Sequence, residues 1–295
     1  MNKKINLFWI IRQILRITPL KYLVSDSVYL KIEYRAYLGK RLDFKNPIGF
    51  NEKLQWLKIY DRKPEYTMMS DKYKAREYIA EKIGEEYLIP LLGVWNNADD
   101  IDFDNLPNCF VLKCNHDSSS VCICKDKASF DKNAAKKKLT KCLKRNFYWK
   151  DREDNYKNIE PKIIAEKFMS DDNSDELTDY KYFCFDGQPK FIQVDTGRFT
   201  DHIRNFYDAD WNFIDVQNGC KNDKSKIIDE PELHHEMLRL ARVLSEGIPH
   251  IRVDFYVINN RVYFGELTFH HGGGFMTITP NEYDKIWGDY LILPR

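Results

Sequence analysis

The chain has 295 residues, with 46 Lys and Arg against 45 Asp and Glu, so its net charge is close to zero. A chain with balanced charge has no overall positive electrostatic field that would attract nucleic acid. An aromatic content of 14% excludes a disordered chain. The length is sufficient for a sizeable core in one large or two medium domains. The seven cysteines lack zinc-type spacing and are expected to be reduced thiols, which indicates a cytoplasmic protein.

Residues 1–23 form an apolar, basic segment that predicts an amphipathic helix. Arg12, Arg16 and Pro19 interrupt the apolar run, so it does not predict a membrane span. Two interpretations stay open: a helix lying on an anionic inner leaflet, and a helix packed on the protein's own body. The apolar residues predicted to share one helical side are Leu7, Phe8, Ile10, Ile11, Ile14 and Leu15.

Residues 24–108 are predicted to be a mainly helical region that ends in an acidic, turn-rich linker. Within it, Gly39 is expected to end one helix, and Ser70 or Asp71 to cap another. Lys72 lies at the start of that second helix, where a cation runs against the helix dipole. A bound anion and ordinary solvated charge are both consistent with this position.

The segment 110–124 predicts two strands joined by a small polar loop. The first strand ends in Lys113, and the loop contains Ser118, Ser119 and Ser120. An ammonium group and loop amides together are one way to hold phosphate, although small polar hairpin loops are common. It is not a Walker loop, because the Gly-x-x-x-x-Gly-Lys-Ser/Thr pattern does not occur.

Further strands are predicted over residues 162–169 and 179–185. Because side chains alternate along a strand, Asp179, Lys181, Phe183 and Phe185 are expected to point to one face. A carboxylate and an ammonium then lie together at the start of this strand. An exposed salt bridge explains that pair as well as a ligand site does.

Residues 252–268 predict a β-hairpin around Asn259 and Asn260, with one carboxylate on each arm. A two-residue loop would send Asp254 and Glu266 to opposite faces, whereas a three- or five-residue loop pairs them. We predict the paired register, since it leaves the cleaner apolar face. The two carboxylates would then lie about 5 Å apart at Cβ and suit Mg²⁺, against the alternative of two solvated acids. The predicted core face consists of Val253, Phe255, Val257, Tyr263 and Leu267.

The hairpin is followed by His270, His271 and three glycines, of which Gly273 is the central one. Glycines let backbone amides approach an anion closely, and histidines add donors or a base. A flexible loop is the alternative interpretation.

The order of these motifs resembles the ATP-grasp superfamily, and within it the TupA-like proteins of teichuronopeptide biosynthesis in bacterial polysaccharide loci. The resemblance covers the chain from about Ser70 onward. It implies an α+β fold in which two α+β subdomains grip a nucleotide between antiparallel sheets. The lid subdomain would span residues 109–165 and the central subdomain 166–295, after the helical N-terminal region. The segments that carry the resemblance are 110–113, 179–187, 252–255 and 265–268.

The resemblance also implies roles for residues of the lid and its hinge. Lys113 would bind the α- and β-phosphates, and Ser118 to Ser120 would form the phosphate flap. The adenine hinge would consist of Glu166, Lys167, Phe168 and Met169.

On the central sheet, the resemblance assigns Asp179 to the ribose hydroxyls, with Lys181 adding positive charge. Asp254 and Glu266 would carry Mg²⁺. Thr268 stands where many relatives have Asn, which alters the ligands available to a second metal ion.

ATP and Mg²⁺ are the implied cofactors, and the implied reaction is carboxylate–amine ligation. A carboxylate attacks the γ-phosphate to form an acyl phosphate, which an amine then attacks. Arg252 would hold the oxygens of that intermediate, beside Lys113 as the second catalytic residue. The implied substrates are an amino acid and a carboxylated sugar on a lipid-linked or growing polysaccharide, and nucleic acid is not an expected partner. Candidates for binding the acceptor are Arg198, Arg204, His270, His271, Gly273 and Lys72.

Three alternatives stay open. A related kinase would phosphorylate the hydroxyl of a sugar or polyol. A glycosyltransferase would use the Asp-x-Asp sequence at Asp208 and Asp210 to hold a metal ion, although the flanking strands favour a turn there. A non-catalytic binding module would leave Lys113, Asp254 and Glu266 without a shared role.

Overall fold

The computed structural model describes residues 7–171, 177–197 and 201–294. Arg198, one of the predicted acceptor-binding residues, lies outside the described residues. The architecture is α+β, with helices at the N-terminus followed by two antiparallel sheets. The N-terminal helices are α1 (Leu7–Ile17), α2 (Asp26–Leu38), α3 (Phe50–Tyr60), α4 (Pro64–Ser70) and α5 (Ala75–Lys82).

Local sequence signals set the ends of these helices. Gly39 ends α2 in the left-handed region with φ 69°, which confirms the predicted stop. The Asp71 carboxylate accepts hydrogen bonds from the backbone N–H groups of Tyr73 and Lys74 just before α5. Helix α5 itself begins at Ala75 after Lys74, with no side-chain capping bond, so the predicted cap at Ser70 or Asp71 was wrong; Asp71 instead stabilises the turn before the helix.

The lid is a four-stranded sheet in the order β1-β4-β2-β3, covered by α6. Its first strand is antiparallel to β4, although the predicted lid began only at residue 109. β1 therefore lies in this sheet but outside the predicted lid boundaries, because its partner strand is remote in sequence. The lid elements are β1 (Leu91–Trp95), β2 (Phe110–Cys114), β3 (Cys122–Cys124), α6 (Lys132–Leu143), α7 (Tyr148–Asp151) and β4 (Ile163–Lys167).

The central sheet has six antiparallel strands in the order β11-β10-β5-β6-β7-β8, and β9 pairs with β12 in a small separate ribbon. This order makes the hairpin β10–β11 one edge of the sheet and places β5 beside it. The elements are β5 (Asp179–Phe185), β6 (Gln188–Thr196), β7 (Ile203–Asp208), β8 (Phe213–Ile214), β9 (Gln217–Asn218), α8 (His234–Ser245), β10 (Ile251–Ile258), β11 (Arg261–Thr268), β12 (Ile278–Thr279) and α9 (Glu282–Tyr290).

The two faces of the central sheet bury different cores. On one face, α8 packs against Tyr182 and Val253. On the other, Phe183 and Phe185 join α3 and Trp287 of α9 in an aromatic cluster. The predicted alternation along β5 is therefore confirmed, and the aromatic face continues directly into the polar residues at the start of the strand.

Helix α1 packs on the body with an orientation opposite to that of most surface helices. Arg12 and Leu15 are buried and Ile11 is half-buried, whereas the other residues predicted to share the side of Leu15 are exposed, namely Leu7, Phe8, Ile10 and Ile14. The predicted apolar side was therefore wrong in its membership. Arg12 turns inward because its guanidinium bonds Glu33 of α2 at 2.9 Å, a partner that the segment itself does not contain.

Candidate functional site

The hairpin β10–β11 turns through Asn259 and Asn260, both in the left-handed region with φ 50° and 56°. This is a two-residue turn, so the predicted loop length was wrong. A two-residue turn alone would place the two carboxylates on opposite faces of the hairpin. They lie on the same face because one extra residue, Gly265, shifts the register of β11. Asp254 is thereby paired with Glu266, as predicted, through a β-bulge.

Glycine suits this bulge because a side chain there would crowd the neighbouring strand. A Cβ atom on Gly265 would lie 3.1 Å from the Asp254 carbonyl oxygen and 3.1 Å from the Tyr256 ring. Between the bulge and the turn, the residues of β11 therefore face the side opposite to the one predicted. Val262 pairs with Val257 and is buried in the core, where the sequence predicted Tyr263.

Both carboxylates bind one guanidinium group. Arg252 contacts Asp254 through two parallel bonds of 2.6 Å, from Nε to Oδ1 and from Nη2 to Oδ2. The same Nη2 atom lies 2.9 Å from Glu266 Oε1, which also accepts a 3.2 Å bond from the Thr268 hydroxyl. Two carboxylate oxygens thus converge on one point, where a positively charged group lies.

Burial controls the ionisation of this cluster. Desolvation raises the pKa of Asp254 to about 6, against the opposing charges of Arg252 and Lys181. His271 lies 2.8 Å from Arg252, between its Nδ1 and the arginine Nη1. Since arginine only donates, Nδ1 accepts and the proton of the neutral ring is on Nε2. Burial, together with Arg252, holds the pKa of His271 well below its usual range.

The polar face extends from the carboxylates across three further strands. Lys181 Nζ lies 2.6 Å from Asp179, 3.4 Å from Asp195 and 3.9 Å from Asp254. Arg204 Nε lies 2.7 Å from Asp195 and so continues the network onto β7. The structure therefore brings Asp179, Lys181, Asp254 and Arg204 together, with Asp195 at the centre.

Asp195 and Gln193 were missed by the sequence analysis. Both side chains are buried on β6, and Gln193 Nε2 donates a 2.8 Å bond to Asp195. Their period-two alternation with Ile192 and Val194, which are in the core, is a signal that was available in the sequence. Two polar residues on one side of a buried strand predict a polar site.

On the lid, Lys113 Nζ pairs with Glu166 at 2.5 Å across the strands β2 and β4. Arg76 of α5 approaches the same carboxylate at 3.7 Å. Lys72 is half-buried nearby; its Nζ donates to the Asp117 carbonyl, and desolvation lowers the pKa of this lysine. These side chains surround a cavity of about 30 Å³ between the lid and the hairpin. The polar side chains that line it are Ser70, Lys72, Arg76, Lys113, Tyr156, Glu166 and Glu266.

Lys72 was predicted to bind the acceptor together with Arg204 and His271, but it lies apart from those two residues. It lies with Lys113 at the cavity between lid and hairpin, whereas Arg204 and His271 lie on the central sheet. The Lys72 backbone is held there by a hydrogen bond from its N–H to the Asn115 carbonyl at 3.1 Å.

The serine loop divides into two parts. Ser120 is buried; its hydroxyl accepts from the Cys114 backbone at 2.7 Å and donates to Asp117. Ser118 and Ser119 are exposed at the tip of the loop. Ser120 therefore shapes the loop, and the two exposed serines are the members that a ligand can reach.

In the hinge, the Lys167 side chain is exposed, and its backbone N–H donates to the Pro90 carbonyl at 2.9 Å. Phe168 and Met169 are half-buried after the end of β4. The Glu166 carboxylate is held by Lys113 and points into the cavity.

The glycine loop after the hairpin is attached to α3. Lys58 Nζ donates to the Gly273 carbonyl at 2.7 Å, and Gln55 Nε2 donates to the same oxygen at 2.9 Å. The Gly273 N–H donates to the His270 carbonyl, so it is already engaged within the loop. His270 is buried, with its Nδ1 atom 3.7 Å from Glu153, and burial lowers the pKa of this histidine.

The Asp-x-Asp sequence forms a turn, as predicted. Asp208 Oδ1 accepts hydrogen bonds from the backbone N–H groups of Asp210 and Asn212 at 3.0 and 2.8 Å. Trp211 between them has φ 62°. These bonds occupy the Asp208 carboxylate in local structure.

A magnesium ion fits the hairpin carboxylates by the chemistry of the donors. Asp254 and Glu266 provide hard oxygens that converge, with the Thr268 hydroxyl beside them. Over the described ranges, no group of three or more His, Cys, Asp and Glu side chains could hold a metal ion. Two carboxylates are nevertheless what Mg²⁺ commonly takes from a protein when substrate phosphates and water complete its coordination.

Comparison with known proteins identifies a family. The model of the TupA-like ATP-grasp family matches residues 52–292, most of the chain. A search of curated proteins found no match. None of the helices that the structure describes is both long and apolar enough to cross a membrane.

Solved structures also resemble the chain at low identity. The D-alanine–D-alanine ligase of Bacillus anthracis complexed with ATP is 16% identical with a TM-score of 0.40, covering 84% of this chain and 63% of its own. The corresponding ligase of Helicobacter pylori is 15% identical with a TM-score of 0.40, covering 83% and 69%. The ATP-grasp ligase PsnB with minimal precursor, Mg and ADP is 12% identical with a TM-score of 0.38, covering 74% and 57%. The chain thus spans less than two thirds of the first of these proteins.

The family match covers both the lid, with Lys113 and Glu166, and the central sheet, with the paired carboxylates Asp254 and Glu266. The chain belongs to the TupA-like ATP-grasp family and has the ATP-grasp fold.

Proposed function

We propose that the protein is an ATP- and Mg²⁺-dependent carboxylate–amine ligase that joins an amino acid to a carboxylated sugar of a bacterial surface polysaccharide. The observation that supports it most is the pairing of Asp254 with Glu266 across a bulge, beside Arg252 and opposite a cavity lined by Lys72 and Lys113. Cations on the lid and carboxylates on the hairpin are the two halves of a site for phosphates and a divalent ion.

Lys113 of the lid, with Lys72 and Arg76 of the neighbouring helical region, would hold the phosphates. One ammonium 4 Å from a phosphate charge contributes about 4 kcal/mol at an effective dielectric near 20, so several cations are needed for a triphosphate. Lys113, Lys72 and Arg76 surround the same cavity. Lys113 is paired with Glu166 at 2.5 Å, so a bound phosphate would compete with that carboxylate for its ammonium group.

The central sheet would position the reacting groups. Asp254 and Glu266 are the residues that would hold Mg²⁺, which when bound neutralises charge on the transferring phosphoryl group. Arg252, fixed by His271 on its far side, places a permanent positive charge next to them. It is suited to stabilising the negative oxygens of an acyl phosphate and of the tetrahedral species formed by amine attack.

We assign acceptor recognition to the part of the polar face around Arg204 and His271, beyond the carboxylates Asp254 and Glu266. Arg204 and His271 lie there, with His270 and the Gly273 loop adjoining them. Arg204 is bonded to both Asp195 and the Asn218 carbonyl, at 2.7 Å each. A fixed guanidinium beside a carboxylate matches a ligand that carries both an acid and an amine, as an amino acid does.

The test is thermal stabilisation followed by turnover. ATP with Mg²⁺ is expected to raise the melting temperature, and Glu266→Gln to abolish that increase. Stabilisation by a nucleotide sugar and not by ATP would favour a glycosyltransferase and reject the proposal. Amino acids and uronic acids are then screened in pairs for release of phosphate. Release that requires both a carboxylate and an amine identifies a ligase, whereas a phosphorylated acceptor identifies a kinase.

A further inference from the structure

The N-terminal helix exposes a continuous apolar surface, here called the α1 stripe. Leu7, Ile10, Ile14 and Ile17 recur at helical spacing, and all four are at least 45% exposed. Leu20 and Leu23 extend the stripe beyond the helix and are exposed as well. A row of exposed aliphatic side chains along one helix, as distinct from single scattered ones, is typical of a binding surface.

The charged residues of α1 point the other way. Arg16 pairs with both Glu33 and Asp151 at 2.9 Å, and Arg12 pairs with Glu33. Arg12 is also stacked against the Trp9 and Tyr37 rings, at 4.5 and 4.4 Å. The helix is thus inverted, with its arginines neutralised inside and its aliphatic side chains outside.

The composition of the stripe favours lipid over protein. Protein interfaces concentrate binding energy in Trp, Tyr and Arg, and Leu is under-represented among their hot spots. Here both arginines are turned inward, and the outward residues are mainly Leu and Ile. Residues 7–23 contain no acid, and Lys21 lies 5.2 Å from the exposed Tyr22 ring at the end of the stripe. An aromatic ring with a lysine suits the anionic headgroup region of a bilayer.

The helix is rigidly connected to the acceptor end of the candidate site. Arg16 contacts the Asp151 carboxylate, and the Asp151 carbonyl accepts a 2.9 Å bond from Lys58. Lys58 in turn donates to the Gly273 carbonyl at 2.7 Å. Three buried or half-buried polar contacts therefore join the α1 stripe to the glycine loop beside His271.

We infer that the α1 stripe docks on an anionic lipid surface, with its aliphatic side chains inserted at the level of the headgroups. The docked helix would hold the glycine-loop end of the site near the membrane, within reach of a lipid-linked acceptor. Only this consequence rests on the proposed function. The docking itself follows from the inverted helix and requires neither ATP nor a substrate.

Vesicle flotation tests the inference with the full-length protein and vesicles of equal parts phosphatidylcholine and phosphatidylglycerol. The wild type is expected to float with the vesicles. Serine at Ile10, Ile14 and Ile17 together is expected to reduce the bound fraction about tenfold or more. The matched control replaces three isoleucines of similar exposure elsewhere, Ile227, Ile286 and Ile292, and should float like the wild type.

Several outcomes would overturn the inference: a wild type that does not float, helix and control variants that float equally, or a wild type that forms a concentration-dependent dimer lost in the helix variant without vesicle binding. Circular dichroism and melting temperature verify that the variants are folded. If the triple variant is destabilised, Leu23→Ser, at a side chain 83% exposed, replaces it. Phosphate release in solution is measured separately, so its failure rejects the proposed ligase and leaves the docking result intact.

Discussion

Asp254 and Glu266 face each other across a hairpin whose two-residue turn would ordinarily separate them. The bulge at Gly265 restores their pairing, and the Arg252 guanidinium then binds both carboxylates. The energetic consequence is that two buried or half-buried acids are held together by one permanent cation rather than by protonation. The two carboxylates share the charge of Arg252, and both provide hard oxygens of the kind that bind Mg²⁺.

The raised pKa of Asp254 predicts a specific pH dependence of stability. The folded-state pKa of about 6 exceeds the usual 3.8, so the folded protein binds the proton more tightly. Between about pH 4 and pH 6 the Asp254 contribution to the unfolding free energy falls as pH rises, by up to about 3 kcal/mol, and it is constant above pH 6. Asp254→Asn removes this slope. Urea unfolding of both proteins from pH 4 to 7, without nucleotide or metal, measures it, and parallel pH profiles would contradict the assignment.

Lys113 is expected to be essential for nucleotide binding but not for folding. Lys113→Ala should abolish thermal stabilisation by ATP, since the lid loses the ammonium group that lies at the cavity. The melting temperature of the unliganded variant should change by only a few degrees, because Glu166 keeps Arg76 nearby. Lys136→Ala is the matched control: this lid lysine pairs with an exposed Asp99 and should have no effect. Undiminished stabilisation of the Lys113 variant by ATP would reject its role.

Arg204 is expected to act on the acceptor and not on ATP. Arg204→Gln removes the ion pair with Asp195, while Lys181 remains 3.4 Å from that carboxylate. ATP with Mg²⁺ should still stabilise the variant, whereas phosphate release in the presence of carboxylate and amine should fall by about two orders of magnitude. Loss of ATP stabilisation together with turnover would instead place Arg204 in the nucleotide site.

Lys58 is expected to contribute to stability through two buried carbonyl groups. Lys58→Met leaves the carbonyls of Asp151 and Gly273 without this donor, at a cost of about 2–4 kcal/mol in the unfolding free energy. Lys63→Met, at an exposed lysine 4.0 Å from Asp61, should change it by less than about 0.5 kcal/mol. Equal unfolding midpoints in urea for the two variants would show that the buried bonds are not important for stability.

The features predicted correctly from sequence are those that depend on near neighbours. Gly39 ends α2, as predicted. The Asp208–Asp210 sequence forms the predicted turn, in which the Asp208 carboxylate accepts bonds from the backbone N–H groups of Asp210 and Asn212. Such signals act within a few residues, because backbone geometry and capping bonds are local.

The features that the sequence did not reveal depend on partners that are remote in sequence. β1 joins the lid because its partner is β4, and Arg12 turns inward because Glu33 lies on another helix. The turn at Asn259 followed its local signal, but the placement of Glu266 depended on a bulge further along the strand.

By itself, therefore, the amino-acid sequence determined the end of α2 at Gly39, the alternation along β5 and the set of charged residues available for a site. Only the tertiary structure decided that Arg252 lies between Asp254 and Glu266, that Asp195 links Lys181 to Arg204, and that α1 exposes its aliphatic side. The physical reason is that burying a charge requires an opposite charge within bonding distance, and that partner is set by the order of strands and helices in space.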